Sequence, residues 1–268
     1  MIDKFRRYLL DRMVLRPSRD SLDHEPQQRV VLRWQNRPLE CFVRRNHDAD
    51  TAPDVLVLKF PGTAGRAERS SDFPLGMLPD LRGAIWTWNP PGYGGSGGTA
   101  SLDQIAEAAV GFWHQVTDGE ADPHTPILLC GNSLGCVSAL RVAACAASDH
   151  HRTGLILRNP PPLIPVVKRV ADKYPLSRWV GPIAESLCDR MNAVITASQV
   201  PCPAVFLQSE LDTLVPPAMQ RQVIEAYAGE KTTVVLDGLS HGGLPADSHV
   251  KDIEKAIDWL WHRVTKLP

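Results

Sequence analysis

The sequence excludes several classes of protein by what it lacks. Its 268 residues contain no apolar run near the ~18 residues that a membrane-spanning helix needs. Its first residues lack the apolar core and the small-residue cleavage site of a secretory signal. A formal net charge of -1 offers no electrostatic surface for nucleic acid. We therefore expect a cytoplasmic protein that does not bind nucleic acid.

Cysteine is sparse and irregularly placed. None of the 6 cysteines belongs to a Cys-x-x-Cys pair, and no histidine spacing completes a zinc site. Several lie inside apolar stretches, as small core residues do in a protein from a reducing compartment. We expect neither a metal nor an organic cofactor. What remains is an ordinary globular balance of 43% hydrophobic and 22% charged residues, enough to bury one substantial core.

Residues 1–27 form an N-terminal segment that differs from the rest. Ile2, Phe5, Leu9 and Met13 recur at helical spacing, with basic residues between them. A basic amphipathic helix can lie on an anionic membrane surface or pack on its own domain, and we expect the second. Residues 28–268 then predict a single domain.

Six near-continuous apolar runs predict the buried, parallel strands of an α/β protein. They cover residues 55–60, 84–88, 127–130, 154–157, 204–207 and 232–236. Alternating residues at 29–34 and 39–43 predict a preceding β-hairpin. Helix-length stretches cover residues 102–116, 134–147, 217–227 and 250–264. This alternation predicts an α/β fold with a mostly parallel central sheet and helices on both faces.

The stretch from about 160 to 200 interrupts the alternation. It opens with three consecutive prolines and carries helical pieces at 166–174 and 183–197. An insertion that follows a parallel strand overhangs the edge of the sheet where ligands bind. We therefore interpret it as a short helical cap, and the alternative is a long but ordinary crossover connection.

The residues Gly131-Asn132-Ser133-Leu134-Gly135 fit the Gly-x-Ser-x-Gly nucleophile elbow. The pattern alone is weak, but here it stands between a predicted strand and a predicted helix. Glycines at both corners let the backbones close while Ser133 is held on a strained bend. The hydroxyl of Ser133 would then be presented at the N-terminus of a helix, where a nucleophile is expected.

A serine nucleophile needs a base and an orienting acid, which follow in the order Ser, Asp or Glu, His on this kind of fold. Asp212 and His241 each lie in a loop directly after a predicted strand, at the same sheet edge as Ser133. The competing residues are His249 for the base, and Glu210 and Asp237 for the acid. We predict that Ser133, Asp212 and His241 form a catalytic triad.

Backbone N–H groups are needed to bind the oxyanion of such a reaction. One should come from Leu134, directly after the nucleophile, and another from the loop at 61–65. Because Pro61 has no N–H, we predict Thr63 as the second donor, with Gly62 or Ala64 as alternatives.

Two further features could bind an anion. Arg66 and Arg69 could contact an acidic substrate group, but we expect them to be solvated loop charges.

A Gly-x-Gly-x-x-Gly pattern at 92–97 follows a strand and precedes a helix, as in dinucleotide sites. The acidic residue that should hold the ribose is missing, because Cys130 and Gly131 end the next strand. We therefore expect no dinucleotide.

Together these features resemble the α/β-hydrolase superfamily from about Val30 to the C-terminus. Pro61-Gly62-Thr63 stands where that family has its His-Gly-x oxyanion loop, and residues 89–96 resemble its glycine-rich loop after the fourth strand. Ser133, Asp212 and His241 match its triad. The short cap and the Asp212-to-Pro216 spacing resemble the branch with monoacylglycerol-lipase-like and depalmitoylase-like hydrolases. The departures from the family pattern are Pro61, Pro90-Pro91 and Cys136, which leave the substrate class open.

The residues and the resemblance imply a serine hydrolase that cleaves an ester or thioester bond through an acyl-enzyme. Its partner would be a small-molecule acyl substrate. The cap residues expected to decide the acyl group are Leu163, Ile164, Val166, Val167, Trp179 and Ile183. The alternatives are a hydrolase-fold protein that binds a ligand or partner without turnover, and peptide-bond or non-acyl chemistry on the same scaffold. The sequence leaves the oligomeric state open.

Overall fold

An eight-stranded sheet organises the residues that this computed structural model describes, which are 2–48, 50–147, 151–173 and 179–267. The strands are β1 (Gln28–Trp34), β2 (Arg37–Arg45), β3 (Val55–Phe60), β4 (Gly83–Trp88), β5 (Ile127–Asn132), β6 (Thr153–Arg158), β7 (Ala204–Ser209) and β8 (Lys231–Leu236). Their spatial order is β1-β2-β4-β3-β5-β6-β7-β8. The β1–β2 and β2–β4 pairs are antiparallel, and all other pairs are parallel. The predicted fold class is confirmed.

The central strands are apolar along their whole length because both faces of the sheet are covered. In β3, the residues Val55, Leu56, Val57 and Leu58 are each 0% exposed. Leu56 and Leu58 point to one face of the sheet and belong to its larger core, whereas Val55 and Val57 belong to the core on the other face. Each predicted strand is present, with ends shifted by at most two residues.

Helices cover both faces of this sheet. Among the described residues they are α1 (Ile2–Val14), α2 (Leu102–Glu120), α3 (Leu134–Ala146), α4 (Leu163–Ala171), α5 (Val180–Ala184), α6 (Ala193–Ala197), α7 (Pro217–Ala226) and α8 (Asp247–Thr265). α2 and α3 contribute to the larger core, and the apolar stripe of α8 fills the opposite face through Ile253, Ile257 and Leu260. No helix in the described ranges combines the length and the apolar character needed to cross a membrane.

The N-terminal helix α1 packs on the rest of the chain. Leu10 is buried, and the Asp11 carboxylate accepts a 2.9 Å hydrogen bond from the backbone N–H of Leu102, the first residue of α2. α1 also contacts α5. Ile2 and Phe5 remain 69% and 62% exposed, so one apolar edge of the helix faces outwards.

The segment at 160–200 connects β6 to β7 and contains the short helices α4, α5 and α6. The first predicted piece begins earlier than expected, at Leu163, because Pro165 is tolerated in the first turn of α4. Its expected end at Tyr174 lies outside the described residues. The second predicted piece, 183–197, is not one helix: α5 ends at Ala184, and α6 begins afresh after Asn192, whose side chain caps it. α6 packs on α3 and α7 and forms the crossover between β6 and β7.

Candidate active site

Ser133 sits on a sharp turn between β5 and α3. Its backbone has φ 51° and ψ -121°, a strained conformation for a residue that carries a side chain. A Cβ atom on Gly135 would lie 1.9 Å from the carbonyl oxygen of Phe60, and one on Gly131 would lie 2.5 Å from the Cα of Cys136. Only glycine fits these two positions. The motif needs a glycine on each side of the serine because the turn, the first residues of α3 and the end of β3 approach one another so closely.

The three residues predicted as a triad are brought together. His241 Nε2 lies 3.0 Å from the hydroxyl oxygen of Ser133, and His241 Nδ1 lies 2.7 Å from Oδ2 of Asp212. Asp212 comes from the loop after β7 and His241 from the loop after β8. This is the relay in which an imidazole can accept a hydroxyl proton on one nitrogen while a carboxylate fixes the other.

The Asp212 side chain is fully buried, and several donors surround its carboxylate. Oδ1 accepts hydrogen bonds of 2.9 and 2.8 Å from the backbone N–H groups of Leu214 and Val215. Oδ2 accepts a 3.1 Å bond from Gln220 Nε2 in addition to its contact with His241. A buried carboxylate is stable only with such partners, and here they also fix its orientation.

Glu210 and His249, two of the residues that compete for the triad roles, form hydrogen bonds away from Ser133, and the third, Asp237, takes part in one of them through its backbone carbonyl. Glu210 accepts a 2.8 Å hydrogen bond from the backbone N–H of Gly238. His249 lies 3.0 Å from the backbone carbonyl oxygen of Asp237, through its Nε2 atom. These three residues therefore support the loop that carries His241, and the structure does not bring them to Ser133.

Two residues at the end of β6 hold the same loop and were missed by the sequence reasoning. Asn159 Nδ2 donates a 3.2 Å hydrogen bond to the carbonyl of His241, while its Oδ1 accepts a 2.9 Å bond from Ser209 N–H. Arg158 donates to the carbonyl of Gly243. The available signal was an asparagine directly after a buried strand, since asparagine tolerates the positive φ of 52° found there.

The loop after β3 lies beside Ser133. Thr63 and Leu134 line the same cavity as Ser133. The Thr63 hydroxyl donates to the carbonyl of Val14, at the end of α1, and its carbonyl accepts a 2.9 Å bond from the Tyr93 hydroxyl. Within the described residues, no hydrogen bond uses the backbone N–H of Thr63 or Leu134. Both groups are therefore free to bind an oxyanion.

A buried cluster of charges supports this loop, and it corrects one expectation. Arg66 is not a solvated charge: its side chain is 4% exposed and forms an ion pair with Glu68. Asn89 joins this pair to Glu40, with hydrogen bonds of 3.0 Å to Glu68 and 2.8 Å to Glu40. Burial favours the neutral form of Glu40, but hydrogen bonds from Gly95 N–H, Arg29 and Asn89 keep its pKa below the usual range. Arg69, in contrast, is exposed, as expected.

The protein's own side chains fill the glycine-rich turn at 92–98. The N–H of Gly95 donates a 2.6 Å hydrogen bond to Glu40, and a Cβ on Gly94 would lie 2.3 Å from Asn89 Nδ2. The carboxylate of Glu40 thus takes the place that a bound phosphate would need. The turn is a packing element of this fold.

An apolar cavity of about 280 Å³ opens beside Ser133. Leu163, Val166 and Val167 line it; they are three of the six cap residues on which the sequence analysis made the acyl preference depend. Of the other three, Ile164 and Ile183 pack against the larger core, and Trp179 is 62% exposed. Met13 and Val14 of α1 and Arg16 just after it also line the wall. The sequence did not indicate this contact because these residues are far from Ser133 along the chain.

No family model matches the chain. Its structure is similar to an α/β-hydrolase from Vibrio vulnificus, with 16% identity, 96% of this chain and 93% of that chain covered, and a TM-score of 0.70. An esterase from Pyrococcus furiosus aligns with 17% identity, 93% and 97% coverage, and a TM-score of 0.67. Est1E from Butyrivibrio proteoclasticus, solved with ferulic acid, aligns with 14% identity, 88% and 100% coverage, and a TM-score of 0.65. The chain therefore has the α/β-hydrolase fold.

The close approach at Gly135 predicts a strong effect of one methyl group. Gly135→Ala should destabilise the protein by about 2 kcal/mol or more, because the carbonyl of Phe60 must move to admit the new Cβ. Gly119→Ala in α2 is the matched control, since a Cβ there meets nothing within 4 Å and should stabilise by about 0.5 kcal/mol. Denaturant unfolding of both variants tests this, and equal effects would refute the steric argument.

The partners of Asp212 predict a pH-dependent loss of stability in Gln220→Glu. A second buried carboxylate beside Asp212 would have a raised pKa in the folded state. Its penalty is absent below its unfolded pKa of about 4.3 and grows as the pH rises towards the folded value, so the variant should lose about 2 kcal/mol or more by pH 8. Gln222→Glu, exposed on the same helix, should change little. Unfolding curves from pH 4 to 8 test this, and a pH-independent difference would contradict it.

Proposed function

We propose that the protein is a serine hydrolase that cleaves a carboxylic ester or thioester through an acyl-enzyme. The observation that carries the proposal is the relay from Ser133 through His241 to Asp212, with contacts of 3.0 and 2.7 Å around a strained Ser133. The esterase activities named for structures similar to this chain support the same reaction class.

In this mechanism, His241 Nε2 removes the proton from the Ser133 hydroxyl as its oxygen attacks the substrate carbonyl. Asp212 stabilises the imidazolium that forms. The backbone N–H groups of Leu134 and Thr63 bind the negative carbonyl oxygen, a contribution worth about 3 kcal/mol for each donor. The imidazolium then protonates the leaving oxygen or sulfur, and the acyl group remains on Ser133. Water, activated by the same imidazole, attacks the acyl-enzyme and releases the acid.

The apolar cavity supports a small acyl group. Its volume of about 280 Å³ is near the lower end of the roughly 300–1,000 Å³ found for ligand pockets. Its wall consists largely of valine, leucine and methionine side chains, so burial of a hydrocarbon chain is the favourable term there. We infer short acyl chains as substrates.

A fluorophosphonate probe tests for the activated nucleophile. The wild-type protein should be labelled at Ser133, and Ser133→Ala should not be labelled, as read by mass spectrometry of the modified peptide. Ser138, which lies in α3 five residues further on, provides the matched control, because Ser138→Ala should label like the wild type. A wild-type protein that is folded but not labelled would favour the alternative function, in which the protein binds a ligand without turnover.

The shared action of Ser133 and His241 predicts non-additive kinetics. Ser133→Ala and His241→Ala should each lower kcat by about 10³-fold or more on a short-chain ester, and the double variant should lose little further. The reason is that each residue acts only through the other. If the two losses multiplied in the double variant, a mechanism that uses them as one unit would be wrong.

A further inference from the structure

A second cavity, of about 390 Å³, lies at the carboxyl ends of β3 to β7, on the sheet face that α8 covers. Lys59 alternates with Val55 and Val57 along β3 and therefore points to that face, and Arg158 shares it with Ile156 of β6. We call this space the basic cavity, because Lys59, Arg69 and Arg158 line it.

The charge of the basic cavity is unbalanced. Its described lining includes no aspartate or glutamate, and the ion pair with Glu68 neutralises a fourth cation, Arg66. Two carboxylates outside the lining act on its cations without forming an ion pair among the described residues: Asp72 acts on Lys59, and Asp212 acts on Arg158.

One buried donor in the basic cavity has no acceptor. The Nε atom of Arg158 is buried and has no hydrogen-bond partner among the described residues. Lys59 donates only to the carbonyl and hydroxyl oxygens of Ser71, at 2.9 and 3.3 Å. Burying a cation or an unpaired donor is costly, and an anion that accepts hydrogen bonds would offset that cost.

The basic cavity reaches the backbone directly before the nucleophile and the loop after β3. Asn132, which directly precedes Ser133, lines it, and so does Gly62. A Cβ on Gly62 would lie only 3.5 Å from the Cβ of Ser133. The apolar cavity contains Ser133 itself, so both cavities border the turn that carries this residue.

We propose that the basic cavity binds an anionic oxygen group, such as a carboxylate, on the leaving group of the substrate. This inference rests on the proposed hydrolase function and deepens it. A scissile carbonyl at Ser133 carries two substituents, an acyl chain and a leaving group. The apolar cavity suits the chain, and the leaving group is then directed to the cations, where Arg158 and Lys59 still have donors to offer. The substrate class is an ester of a short acyl group with a hydroxy acid.

The test compares 4-carboxyphenyl butanoate with its neutral amide analogue, 4-carbamoylphenyl butanoate. Each kcat/KM is divided by the rate at which hydroxide hydrolyses the same ester, which removes the difference in leaving-group reactivity. The wild-type protein should favour the carboxylate by about tenfold or more at low salt, and the preference should shrink as salt screens the charges. Equal normalised values at low salt would overturn the proposal while leaving the hydrolase function intact.

Variants identify the groups responsible. Lys59→Met and Arg69→Ala should each lower the ratio of carboxylate to amide kcat/KM by about three- to tenfold. Lys251→Met and Arg221→Ala, exposed on α8 and α7, are matched controls and should keep the wild-type ratio. Because Arg69 is exposed, its variant should fold even if Lys59→Met does not. An unchanged ratio in Arg69→Ala and in folded Lys59→Met would overturn the assignment.

The preference should also depend on pH. Burial lowers the pKa of Lys59 to about 8; the Asp72 carboxylate opposes that shift, and Arg44 adds to it. Burial also raises the pKa of the neighbouring Cys130 thiol to about 12, so that thiol stays neutral over this pH range. The titration of His241 affects the kcat/KM of both esters equally, so it cancels in the ratio of the two values. It should fall as the pH rises through about 8 in the wild type and become flat in Lys59→Met. A wild-type ratio that stays constant to pH 9.5 would contradict a role for this lysine.

Two further measurements separate this inference from the hydrolase proposal. Ser133→Ala should bind 4-hydroxybenzoate more tightly than 4-hydroxybenzamide in calorimetry, so the basic cavity can be tested even without turnover. The reversed ester, phenyl hydrogen succinate, carries its anion on the acyl side. Its own carboxylate attacks the ester carbonyl, so this spontaneous hydrolysis is subtracted first. The remaining, enzyme-dependent hydrolysis should be no faster than that of phenyl butanoate. A preference for the acyl-side anion alone would overturn the assignment of the leaving group.

Discussion

The close contact between the elbow and the end of β3 is the constraint on which the candidate site depends. Gly135 approaches the carbonyl of Phe60 so closely that no side chain fits between them. β3 and β5 are paired in parallel, so their loops leave the sheet at the same edge. The elbow and the loop after β3 are therefore held in contact, which puts Thr63 and Leu134 on the wall of the cavity that holds Ser133. A larger residue at Gly135 would separate the nucleophile from that loop.

Packing contact alone would not fix the positions of the loop after β3 and the loop of His241. Hydrogen bonds, which we call tethers, hold each of them in place. Thr63 is held by Val14 on one side and by Tyr93 on the other. The loop of His241 is held by Asn159 and Arg158, which follow and end the strand beside the elbow. Each tether joins segments that are distant in sequence, so the strained backbone at Ser133 persists because folded surroundings stabilise it.

The order of the strands and helices and the residues of the candidate site could be predicted from the sequence because parallel sheets leave a recognisable pattern in it. Parallel strands buried on both faces leave continuous apolar runs, and their carboxyl ends share one edge of the sheet. That geometry let Asp212 and His241 be associated with Ser133 from their positions after strands, and the structure brings the three together, while their catalytic roles remain a prediction. What the sequence could not supply were contacts between distant segments. Arg66 was expected to be a solvated charge because the carbonyls of Ser18 and Asp20, which accept its hydrogen bonds, reach it only when the loops pack.

The N-terminal helix shows why such contacts matter for specificity. Met13 and Val14 form part of the apolar wall, and the carbonyl of Val14 also accepts the hydroxyl of Thr63. One helix end therefore lines the cavity proposed for the acyl chain and holds the loop expected to bind the oxyanion. A shift of α1 would alter both together, so the proposed mechanism couples substrate length to oxyanion binding through Thr63. The basic cavity lies on the opposite face of the sheet, away from this helix, so the preference for charge proposed for it would vary independently of chain length.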